Sequence, residues 1–161
     1  MCMEARQIMH MKDRVERTSG RFLISLAALI TGLAPLFADW NDTHVFSDQW
    51  SPHARFHGVT SLGMALTLSP VALWLVWRPS ADEEAAVTVA ALIPIAYWGP
   101  FFVAPLVPGT ALEDPGHPVP RLGGVPSNLL GAAAAVLTSG LGWYLTRRQS
   151  HRALRTVLSA A

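Results

Sequence analysis

Residues 58–77 read GVTSLGMALTLSPVALWLVW, an uninterrupted apolar run without a single charged side chain. About 20 such residues are what a helix needs to cross a hydrocarbon core of roughly 30 Å. Three more charge-free stretches accompany it: Phe22–Ala38, Ala85–Val107 and Leu129–Leu145. Lipid offers no partner for a bare amide, so each stretch is expected to bond within itself as a helix. The expected fold class is all-α: a four-helix transmembrane bundle. The composition agrees, since the 161 residues are 51% hydrophobic and only 14% charged, whereas soluble domains carry about 25% charge. A net charge of +1 excludes a nucleic-acid domain, and a single cysteine excludes a disulfide scaffold.

The outer spans are short, but Trp40, Trp143 and Tyr144 stand near their ends, where amphipathic rings favour the headgroup layer. Pro94, Pro100 and Pro105 fall in the third stretch; each removes an amide donor, so the third helix is expected to kink, or to break after Gly99. The fourth presents Gly131, Ala132, Ala135, Ser139, Gly140 and Gly142, small residues that let helices approach closely in lipid. This face is expected to pack centrally and is also a candidate for helix–helix oligomers. No charged residue lies inside any stretch, which argues against transport by proton relay.

Arginine and lysine set the expected orientation. Residues 1–21, the loop after the second span and residues 146–161 together hold ten of the 12 basic residues, against Arg55 and Arg121 in the other two loops. The positive-inside rule then places both termini in the cytoplasm of a cell-membrane protein, with a basic N-terminal segment (1–21), a membrane domain (22–145) and a basic amphipathic tail (146–161) in which Leu154, Val157 and Leu158 alternate with arginines. The N-terminal segment shows no clear periodicity. A cleaved signal over residues 1–38 is the rival reading; the apolar stretch is long for one, and Leu36 would sit where a small residue is expected. Cys2, on the cytoplasmic side, is expected to be a free thiol.

The first outer loop, residues 39–57, holds three of the six histidines together with Asp39, Asp42 and Asp48. Ser51-Pro52 is a helix start, hydroxyl at the N-cap and proline at the first helical position. His53 and His57 then stand one turn apart on one face, the spacing with which two imidazoles converge on a single ion. His44, Asp39 and Asp42 are the nearest candidates to complete the shell, with His117 in the third loop as a further one. Such a set would suit zinc, iron or copper better than calcium. Without a metal, the same histidines would cap carbonyls or bond Asp42 or Asp48, Arg55 would reach a lipid phosphate, and Asp39 and Asn41 would end the first helix in Asx turns.

The third loop, residues 108–127, is rich in proline and glycine and reads as a semi-rigid irregular cover in which His117 is solvent-exposed and Glu113 or Asp114 pairs with Arg55 or Arg121. On the opposite side, Asp82, Glu83 and Glu84 precede the third span and would complement its helix dipole.

The runs Asp39-Trp40-Asn41-Asp42-Thr43-His44 and Pro52-His53-Ala54-Arg55-Phe56-His57 resemble the paired D-W-N-x-T-H and P-H-A-R-F-H segments of a family of small, uncharacterised four-span membrane proteins. The resemblance is strong over about twenty residues. It implies the four-span plan and a functional first loop, without a substrate. Three functions compete: a metal-binding protein or metal-dependent enzyme using the loop histidines; a binder or transport accessory for a lipophilic small molecule, held where Tyr97 and Trp98 meet the prolines of the third span; and a structural subunit of a membrane complex.

Overall fold

The computed structural model describes the backbone of residues 2–113 and 116–158 and the side chains of residues 18–113 and 116–148. Four α-helices dominate: α1 (Cys2–Asp39), α2 (Pro52–Trp77), α3 (Glu83–Trp98) and α4 (Ser127–Leu158). Four segments are long and apolar enough to cross a membrane: Thr18–Asp39 in α1, Pro52–Trp77, which is α2, Glu83–Leu106, which runs past the end of α3, and Ser127–Arg148 in α4. α1 and α4 thus continue well beyond the apolar stretches into the basic terminal segments, and the aperiodic start of the chain is the first part of α1. The Cys2 thiol, Asp114 and the side chains of the basic tail from residue 149 onward lie outside the described residues.

α2 begins as its sequence dictates: the Ser51 hydroxyl accepts the Ala54 amide and Pro52 occupies the first turn. α3 is capped by Asp82, whose carboxylate accepts the Ala85 amide at 2.9 Å. Glu83 and Glu84 go further than complementing the dipole. They bind Arg21 of α1 at 3.0 Å and Arg147 of α4 at 2.9 Å, tying three helices at one end of the bundle. Pro94 lies within α3, and regular α geometry stops at Trp98; Pro100 and Pro105 then stand in the first turns of two 3-10 helices, Gly99–Phe102 and Ala104–Leu106. A two-residue hairpin pairs Arg121-Leu122 with Val125-Pro126 just before α4. Its turn needs positive φ at Gly123 and Gly124, which only glycine adopts freely.

α1 packs against the other three helices, and α3 against all of them as well, so α2 and α4 occupy opposite corners. The core is built of small side chains. Ile24, Ala28, Ala72, Val76, Val87, Ala90 and Ala91 form one cluster, and Trp98, Ala132 and Ala135 another. Ala132, Ala135, Ser139 and Gly142 of the small-residue face are buried inside the chain, with the Ser139 hydroxyl donating to the carbonyl of Ala91.

Polar contacts between helices repeat one pattern. The indole Nε1 atoms of Trp77, Trp98 and Trp143 donate to Ser25, Thr31 and Thr88 of neighbouring helices at 2.9–3.0 Å. At the level where the prolines of the third span would open room for a lipophilic molecule, Trp98 occupies the centre, packed among Ile30, Ala34, Tyr97, Phe101 and Val136.

Candidate functional site

The segment between α1 and α2 folds on itself. Asn41 organises it: its Nδ2 donates to the carbonyl of Ala38, and its Oδ1 accepts both the amide and the hydroxyl of Thr43, the Asx turn expected of this residue. The amides of Val45 and Phe46 return to the carbonyls of Asp39 and Asn41, which buries Val45 to 2% exposure and sets Phe46 edge-on against Trp40. Arg55, one turn into α2, donates to the carbonyl of Ser47 and holds the segment down onto the helix. Trp50 covers Gly58 so closely that a Cβ there would meet the indole at 2.6 Å.

This hydrogen-bond chain assigns the His44 tautomer. The single Thr43 hydroxyl proton goes to Asn41 Oδ1, so Thr43 Oγ1 accepts from Nδ1–H of His44 at 2.8 Å. In the neutral ring Nε2 then carries a lone pair, 3.9 Å from Asp39 Oδ1.

His53 and His57 make the second pair. Their Nε2 atoms lie 3.1 Å apart, with ring planes at 78°. Phe56 stacks parallel to His53 at a centroid separation of 6.3 Å. All three side chains are exposed. Two imidazole nitrogens bound to one ion at about 2.0–2.1 Å stand roughly 2.9 Å apart at a right angle and 3.4 Å apart at the tetrahedral angle, so the observed spacing falls between the two.

The five candidate ligands do not come together as one group. The buried stripe of α2 is Leu62, Ala65, Ser69, Ala72 and Val76, continued towards the loop by Gly58 under Trp50. At 3.6 residues per turn, His53 and His57 stand about 140° and 100° round the helix from Gly58. The His53–His57 pair therefore faces away from that stripe, while His44 stands edge-on to Trp50, the ring that covers Gly58. Asp42 is exposed in the turn and His117 is exposed in the third loop. Among the described residues, no group of three or more His, Cys, Asp or Glu side chains is placed to hold a metal ion.

In the third loop, Glu113 pairs with Arg121 and accepts the Val119 amide at 3.1 Å, and Asn128 donates to the carbonyl of Leu112. The Arg121 guanidinium, and then the Val119 amide, hold the Glu113 carboxyl below its ordinary value of 4.5. The contact that sequence reasoning missed in the site is Arg55 with the backbone carbonyl of Ser47. Local spacing does not mark it, because it depends on how the loop folds back over the first turns of α2.

No curated protein and no solved structure matches the chain. A family model, by contrast, matches residues 23–155, which takes in all four apolar helices and the loop described above. The chain belongs to the Family of unknown function (DUF6640).

Proposed function

We propose that the chain is a multi-pass integral membrane protein, with both termini in the cytoplasm, whose first outer loop binds a divalent transition metal ion through Nε2 of His53 and Nε2 of His57. The membrane assignment is supported by four helices of sufficient length and apolarity and by the concentration of arginine and lysine in the termini and the second loop. The 3.1 Å separation of the two Nε2 atoms carries the metal reading. That separation is within the range two imidazole nitrogens take on one ion, and imidazole suits zinc, copper, iron and nickel. Asp39 and His44 form a separate pair and act on the fold of the loop instead of on this ion.

The test is zinc binding by the purified full-length chain, read by equilibrium dialysis and elemental analysis. Wild type is expected to retain zinc, and His53→Ala and His57→Ala each to lose it, while His44→Ala keeps it. Zinc retained at the wild-type level by both His53→Ala and His57→Ala would overturn the assignment.

A further inference from the structure

His53 and His57 supply two donors, and among the described residues no further His, Cys, Asp or Glu joins them. A four-coordinate ion so held keeps two positions for ligands from elsewhere. What surrounds the pair says where those ligands come from. His53, His57, Thr60, Met64, Thr67 and Val71 follow one another at alternating spacings of four and three residues, and every one of them is exposed. They form one continuous ridge along a side of α2 that is open among the described residues. Beside its middle lies Gly63, also exposed, with no atom within 4 Å of where a Cβ would stand. The Thr60 and Thr67 hydroxyls donate to the carbonyls of Phe56 and Gly63 within the helix, so neither needs a polar partner outside it.

Alternating four-three spacing is the seam along which two helices pair at a shallow angle, and threonines on that seam, with a glycine at its flank, let backbones approach closely in lipid. In a bilayer every copy has the same orientation, so a two-fold axis along the membrane normal brings the ridge of one α2 against the same ridge of another and sets both histidine pairs at one height. From these observations we infer that two copies of this chain pair through α2, and that one metal ion, ligated by His53 and His57 of each, closes the interface at its outer end. Four imidazoles complete a shell for zinc or copper(II) without any ligand from solvent. The inference rests on the metal reading above and adds to it the partner and the stoichiometry. It also moves the interface away from α4, whose buried small residues are engaged inside the chain.

The experiment is a zinc titration of the full-length protein in detergent, followed by native mass spectrometry. Zinc is expected to convert monomer to dimer with one ion per two chains, and a chelator to reverse it. His53→Ala and His57→Ala should abolish both the ion and the dimer. Gly63→Leu, which meets nothing in its own chain, should leave helix content and melting intact but weaken the zinc-driven dimer by about tenfold. One zinc per chain on a monomer would overturn the dimer and leave the metal reading standing. No zinc at all would overturn both, and a dimer indifferent to zinc and to His53→Ala would overturn the bridging ion.

Discussion

Gly20 and Gly142 face one another where α1 crosses α4, so closely that a Cβ on Gly142 would lie 2.6 Å from the Gly20 carbonyl oxygen, and one on Gly20 2.7 Å from that of Gly142. Backbone is the obstacle on both sides, and backbone cannot swing aside. Leucine at either position should destabilise the bundle by about 1–3 kcal/mol or separate the helices outright. Gly140→Ala, where a Cβ meets nothing, should be neutral or raise stability by up to about 1 kcal/mol. Thermal unfolding in detergent reads the contrast, and a Gly142→Leu protein melting with wild type would contradict the close crossing.

The bond from Trp98 Nε1 to Thr31 Oγ1 joins α3 to α1 in the buried centre at 3.0 Å. Trp98→Ala removes a large buried ring and should cost about 3–5 kcal/mol. The hydrogen bond alone is smaller. A cycle of Trp98→Phe and Thr31→Val should return a coupling of about 0.6–1.7 kcal/mol, the range for side-chain bonds between membrane helices. A coupling of zero would mean that the two groups do not bond.

For the third loop, the expected pH response follows from Glu113. Its carboxyl titrates below its ordinary value of 4.5 because Arg121 and the Val119 amide favour the charged form. The clasp is therefore at full strength above that value and is lost as the pH falls through the lower folded value. Hydrogen exchange of the Val119 amide should show protection at neutral pH that disappears in acid. Glu113→Gln should remove the pH dependence. Protection unchanged down to pH 2 would contradict the arrangement.

Topology is testable in a Cys2→Ser background. Gln49→Cys should react with a membrane-impermeant maleimide added to intact cells, and Ala81→Cys only after permeabilisation. Equal reactivity of the two would reverse or abolish the assigned orientation.

Much of the candidate site is legible residue by residue. The helix start at Ser51-Pro52, the Asx turn at Asn41 and the convergence of His53 with His57 all depend on atoms within four residues of one another, so local geometry dictates them. The same locality explains what was not legible. Nothing within the run Asp82-Glu83-Glu84 distinguishes a capping acid from one that binds a partner 62 residues away, yet Glu83 binds Arg21. Nothing near Trp98 announces Thr31.

The sequence by itself determined an all-α chain of four apolar helices, the boundaries of α2, and the pairing of its first two histidines. Only the tertiary structure decided which way that pair faces. The helical repeat sets the angles between residues of one helix, but the rotation of the whole helix is chosen by what its neighbours can accept. Leu62, Ala65, Ser69, Ala72 and Val76 turn inward because α1 and α3 pack against them. That rotation carries His53 and His57 to the outside, and sets Gly58 under Trp50, the ring against which His44 packs edge-on.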